Sequence, residues 1–321
     1  MTAMAPEHPY ARQVLAVLAA VDVRPPDTYL WFGRREDGAG EPLVDCLADR
    51  LEREFFGAGG PLLPRGAPVT PPDDGGDFAR ALSQANGARG AWQAGWRLGA
   101  PAEDDDDDGL TVVRPDGLRL LAPAEDCRIE GEATVVRLPK ELRGWRPGAL
   151  IALGDTPVPD GDRVALYWNV AAAGAVTLVA RVTYALNGAG LAFTLELPAN
   201  PARYDGRDSA VLTVARADFA GAIKLSRTLL RALGPHLADG CPALTKPLAR
   251  GLAVAEAPRD GQRFGAARCR LIAEALVTAG ERGRHGPDAR LAVVADHFAA
   301  AGLSLATPYL EPGSVDAYEL S

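Results

Sequence analysis

The chain has 321 residues, 47% of them hydrophobic and 24% charged, with a formal net charge of −8 at pH 7. That length buries a sizeable core in one or two domains, and the acidic balance argues against a basic face for wholesale nucleic-acid binding. The four cysteines, Cys46, Cys127, Cys241 and Cys269, form no Cys-x-x-Cys pair, and the four histidines form no pair at metal-ligand spacing, so neither a disulfide framework nor a metal site is expected.

The chain starts without a basic stretch leading into an apolar one, and its longest apolar run, 170–180, is about half the ~20 residues of a membrane-spanning helix. A cytoplasmic protein without membrane contact is the expectation. Residues 10–56 read as mainly helical: Leu15, Val17, Leu18 and Val21 make an apolar stripe, and Leu43, Leu47, Leu51 and Phe55 repeat at helical spacing. Between them, Tyr29-Leu-Trp-Phe32 reads as a short aromatic segment packed in the core. Residues 57–75, rich in Gly and Pro, read as an exposed loop, and a helix is predicted over 77–86. Six consecutive acids, Glu103 to Asp108, repel one another and predict a solvated surface loop.

A hairpin is predicted from 110–113 and 118–121 around Arg-Pro-Asp-Gly, followed by a strand over 133–138. Further strands are predicted over 150–153, 164–170, 191–197 and 209–214. Helices are predicted over 172–186, closed by Asn187-Gly188, and over 217–233, 264–279 and 288–301. The layout is α+β: a mainly helical N-terminal region, 1–100, then a mixed β-sheet domain with flanking helices over 110–321.

Lysine occurs only at Lys140, Lys224 and Lys246, so arginine supplies the rest of the 34 basic residues. Arginine does not usefully release its proton, whereas a desolvated lysine serves as a base, which singles these three out. Lys224 falls within a predicted helix and reads as solvent-facing. Four segments carry more charge and turn residues than packing requires: 137–148, Tyr167-Trp-Asn169, 200–208, and 244–270. Arginines and lysines in loops at strand ends suit an anion such as phosphate. No phosphate-binding P-loop, dinucleotide fingerprint or Gly-x-Ser-x-Gly elbow is present, so nucleotide-binding and serine-hydrolase readings lack residues to stand on.

These segments resemble the HopA-type effector family, whose relatives in peptide natural-product clusters act as lyase components for class V lanthipeptides and thioamitide-type peptides. The resemblance rests on Arg137-Leu-Pro-Lys140, Pro-Gly-Ala-Leu-Ile-Ala-Leu-Gly-Asp155, Tyr-Trp-Asn169, Tyr204-x-x-Arg-Asp208, Pro-Ala-Leu-Thr-Lys246-Pro-Leu-Ala249, Ala-Glu256 and Phe264-Gly-x-x-Arg268, over roughly 75–312. It implies a phosphothreonine-lyase-like fold and elimination of phosphate from phosphoserine or phosphothreonine, leaving dehydroalanine or dehydrobutyrine. The implied partners are a phosphorylated precursor peptide and a separate Ser/Thr kinase component, with no metal or nucleotide cofactor.

Such an elimination needs a base for a Cα proton, cations for the phosphate and a proton donor for the leaving oxygen. On the resemblance, Lys140 is the first choice for base, with Lys246 as the alternative base or a phosphate ligand. Arg207 and Arg268 would clamp phosphate with Arg137, Tyr204 would donate a proton or position substrate, and Asn169 would hold the peptide. The chain departs from the family pattern at Ala165, where an arginine is usual, and at Glu196, where a lysine is usual. A lyase fold that only binds the precursor peptide or partner kinase is therefore the second expectation.

Overall fold

Apolar residues three and four apart bury one side of a helix, and strands that alternate bury one side of a sheet. Both rules operate in the computed structural model, which describes residues 8–24, 27–37, 41–58, 76–100, 109–115, 117, 119–131, 133–143 and 146–320. Helix α1 (Pro9–Ala20) buries Ala11, Val14, Val17 and Leu18. The aromatic segment that follows is not merely core filler. It is β2 (Thr28–Trp31), paired antiparallel between β1 (Val21–Arg24) and β3 (Arg34–Asp37). Phe32 and Gly33, at φ 49° and 77°, close the β2–β3 hairpin in two residues. Helix α2 (Leu43–Leu51) runs on into a π-helical turn, Glu52–Phe56. Helix α3 (Gly76–Ala85) follows as predicted. Most of the expected 57–75 loop and the 103–108 acid run lie outside the described residues.

The predicted hairpin and strand around 110–138 belong to a five-stranded antiparallel sheet. Its members are β4 (Trp92–Leu98), β5 (Gly109–Val113), β6 (Arg119–Pro123), β7 (Cys127–Glu130) and β8 (Ala133–Arg137), in the order β6-β5-β4-β8-β7. It has a small core of its own: Trp96, Val112, Ala122 and Val136. Because β4 pairs with both β5 and β8, this unit straddles the sequence boundary expected between the two regions.

The rest of the chain forms β9 (Glu141–Arg143), β10 (Ala149–Leu153), β11 (Arg163–Trp168), α4 (Ala172–Gly188), β12 (Phe193–Pro198), β13 (Ala210–Ala215), α5 (Phe219–Leu233), β14 (Lys246–Ala249), β15 (Leu252–Glu256), α6 (Phe264–Glu281) and α7 (Pro287–Ala300). The strands make one sheet in the order β14-β15-β11-β13-β12-β10-β9. The α+β class holds, but the described pairings are all antiparallel, not mixed. The reason is a gap: α4 returns the chain parallel to β11 two places away, and β13 then fills the space antiparallel to both.

Helices α4 and α5 cover one face of this sheet, where Leu195, Leu212, Leu166 and Val254 form a fully buried cross-strand row. On the other face, Phe56 and Phe264 close over Tyr167 with ring centroids 5.8 and 6.3 Å from it. Gly265 makes that closure possible, since a Cβ there would stand 2.5 Å from the Phe56 ring. Strands β11 and β15 are accordingly buried on both faces. Beyond them the cover stops: β12 alternates strictly, and Thr194, Glu196, Val211 and Thr213 are only half-buried on the uncovered side.

Replacing a residue of the buried row under α4 and α5 should therefore cost far more than replacing one on the open strip. Leu166→Ala should lose about 2–5 kcal/mol of stability and Val211→Ala less than about 1 kcal/mol, measured by urea unfolding. Equal losses would place the cover elsewhere.

Candidate functional site

The open strip of the sheet is the floor of a cleft of about 690 Å³. Its walls come from separate parts of the chain: Glu52 and Arg53 from the π-turn, Arg146 from the approach to β10, Arg203, Asp205 and Asp208 from the β12–β13 connection, and Arg263 from the start of α6. Glu196 rises from the floor. No lysine or histidine lines it. Among the described residues, no group of three or more His, Cys, Asp or Glu is arranged to hold a metal ion.

Arg263 is the residue around which the walls meet. It precedes the first turn of α6, with extended backbone and no side-chain cap. Its Nε lies 3.7 Å from Glu52 Oε1 and its Nη2 3.8 Å from Asp208 Oδ2. These are ion-pair distances rather than tight hydrogen bonds. Glu52 Oε1 is buried and has no hydrogen-bond partner among the described residues. A π-turn carries one more residue per turn than an α-helix, and here that widening presents Glu52 to the cleft while Phe55 and Phe56 stay in the core. Asp208 sits against two glycines: a Cβ on Gly57 would lie 3.2 Å, and one on Gly206 2.8 Å, from its Oδ1.

Burial pushes both the Glu52 and the Asp208 carboxyls above the usual carboxylate range, and Arg263 only partly opposes this. Asp208 also raises Glu52 by like-charge repulsion. Glu196 is paired instead with Arg146, at 2.5 Å. Tyr167 shares the cross-strand row of Glu196 and Val211, so it points to the same face, and its hydroxyl makes no hydrogen bond among the described residues. Burial raises its phenol well above the usual range, so it remains a proton donor.

None of the residues singled out in the sequence as catalytic or phosphate-binding lines this cleft. Lys140 Nζ donates to the carbonyls of Ser83 and Asn86, at 2.8 and 3.0 Å, satisfying the C-terminal end of α3. Lys246 pairs with Asp316 at 2.7 Å and Arg268 donates to the carbonyls of Pro308 and Leu310 and to Glu311. Both cations fasten the C-terminal segment, and Arg268 is 3% exposed, out of reach of a substrate. Tyr204 donates to the Pro198 carbonyl and packs on Phe78; Asn169 Nδ2 donates to the carbonyls of Asp239 and Gly240. Arg137 pairs with Asp126 on the five-stranded sheet, and the Arg207 guanidinium lies against Gly240. The structure thus does not bring these residues together. It does bring the two departures from the family pattern onto one face: Ala165 and Glu196 both point to the side of the sheet that carries the cleft.

The residues that do line the site were weakly signalled. Asp208 and Arg263 fall within the charge-rich segments 200–208 and 244–270, but Glu52 lies in a stretch that reads as ordinary amphipathic helix.

Residues 144–310 match the model of the HopA1 effector protein family. Among solved structures, the effector protein from Pseudomonas syringae pv. tomato strain DC3000 is similar at 18% identity and a TM-score of 0.44, over 74% of this chain and 80% of that one. The effector protein from Pseudomonas syringae pv. syringae strain 61 is similar at 16% identity and a TM-score of 0.44, over 84% of this chain and 96% of that one. No curated protein matches the chain.

A carboxyl whose pKa is raised by folding binds its proton more tightly in the folded than in the unfolded state, so stability falls as pH rises from the ordinary carboxyl range through the raised value. Glu52→Gln should therefore be more stable than the unaltered protein at pH about 7.5 and indistinguishable from it at pH about 3.5, in urea unfolding at the two pH values. A variant less stable at neutral pH would show that Arg263 outweighs burial.

Proposed function

The chain belongs to the HopA1 effector protein family, and from that premise we propose that it is a lyase that eliminates phosphate from phosphoserine or phosphothreonine of a peptide. The observation that carries the proposal is the arginine-bridged carboxyl pair, Glu52 and Asp208, over an open strip of sheet, with Arg146 on the facing wall of the cleft. A phosphorylated side chain entering the cleft would meet Arg263 and Arg146, whose forked donors suit a phosphate dianion. The uncapped first turn of α6 adds the positive end of a helix beside Arg263.

Two carboxyls that repel each other share protons unequally, which yields one base and one acid from the same pair. The carboxylate form takes the Cα proton; the Cα–H electrons form the Cα=Cβ bond, and the Cβ–O bond breaks with its electron pair leaving on phosphate. The neutral carboxyl supplies a proton to that departing oxygen. No cofactor is needed for this balance. A separate Ser/Thr kinase would supply the phosphorylated peptide.

One observation favours a second reading, in which the fold holds the peptide or kinase without turnover. Glu196 stands on the cleft floor where the family pattern carries a lysine, and it occupies Arg146.

Incubation with a Ser-phosphorylated peptide distinguishes the readings. The lyase reading expects free phosphate and a product lighter by one phosphoric acid, with Glu52→Gln and Arg263→Gln each slowing release by about 100-fold or more and Lys140→Arg leaving it unchanged. Binding without release supports the second reading, and neither binding nor release contradicts both.

A further inference from the structure

The five-stranded sheet lies outside residues 144–310, and its two faces differ in chemistry. The register puts Trp96, Val112, Ala122 and Val136 on the inner side. The outer side therefore carries Arg97 on β4, Arg119 on β6, Arg128 on β7 and Arg137 on β8, together with Trp92. All four arginines are exposed. The Arg128 guanidinium stacks 3.8 Å from the centre of the Trp92 ring, and that of Arg137 lies 5.7 Å from it. Stacking fixes the plane of a guanidinium while leaving its N–H edge open to an acceptor. Among the described residues, Arg97 makes no ion pair and Arg119 donates only to the Ala100 carbonyl. Of the nearby acids, Asp126 is paired with Arg137, while Glu125 is exposed in the turn before β7.

In a protein of net charge −8, the described side chains of this face are a local reversal of sign: four arginines, one of them paired with Asp126. We infer that this face is a docking surface for an acidic, extended stretch of polypeptide. A peptide suits it better than a nucleic acid: the overall negative charge repels a long polyanion, while separate forked cations match separate carboxylates. In an extended peptide every second side chain points the same way, about 6.6 Å apart, so acids at alternate positions present a row of carboxylates to the face. Among the described residues, no further strand pairs with the outermost strands, β6 and β7, and an extended peptide can add at such an edge. The inference is independent of the chemistry proposed for the cleft.

The test is fluorescence anisotropy with a labelled peptide of alternating Glu and Ser, using the full chain. Binding that weakens with added salt is expected, with the combined Arg97→Gln, Arg119→Gln and Arg128→Gln variant weaker by on the order of tenfold. Glu52→Gln should bind as the unaltered protein does, which separates this site from the cleft. Replacing the acid run 103–108, which connects β4 to β5 in sequence, with Gly and Ser should leave binding unchanged or tighter. The inference is overturned if the peptide does not bind, if the folded Arg→Gln variant (checked by circular dichroism) binds equally well, if binding is lost with the acid run, or if oligothymidine binds as tightly.

Discussion

Arg263 stands within ion-pair reach of two carboxyls that come from positions far apart in the chain. Glu52 arrives on the π-turn that ends α2, Asp208 on the connection between β12 and β13, and Arg263 at the start of α6. Each is held by its own neighbours: the π-turn by Phe55 and Phe56 in the core, Asp208 by the close approach of Gly57 and Gly206, and α6 by Gly265 against Phe56. Removing the arginine would leave two partly buried carboxyls repelling each other, so the cleft depends on this cation for its shape as well as its charge.

The cleft exists because the sheet is unequally covered. Phe56 and Phe264 seal β11 and β15, and the cover ends before β12 and β13. Where it ends, polar side chains occupy the face without being buried in the core. The same unequal cover explains why β11 and β15 are apolar throughout while β12 alternates. The lysines and arginines that look chemical in the sequence perform the complementary task of closing the molecule: Lys140 finishes α3, and Lys246 and Arg268 fasten the C-terminal segment, whose Tyr318 donates to the buried Glu256.

Much of the second half was legible in the sequence, because its helices and strands follow clean periods of 3.6 and 2. The first half was less so. The short strands around Tyr29 and Trp31 are four residues each, too brief for alternation to stand out between two amphipathic helices. The β14–β15 hairpin was hidden by Pro247 and by a bulge in its register. The site was the least legible part. The sparse lysines do not mark the cleft: at Lys140 the ammonium is held between two carbonyls at the end of α3. Nothing local distinguishes Glu52 from the other acids of its helix; only the π-turn and the distant Arg263 do.

The most direct test is a carboxyl titration by ¹³C NMR on the full chain, with Glu52 and Asp208 assigned by substitution. The account predicts that the pair titrates above the ordinary carboxylate range, in two coupled steps, and that Arg263→Gln moves both steps further up. Two independent titrations at ordinary values, unmoved by the loss of Arg263, would contradict it.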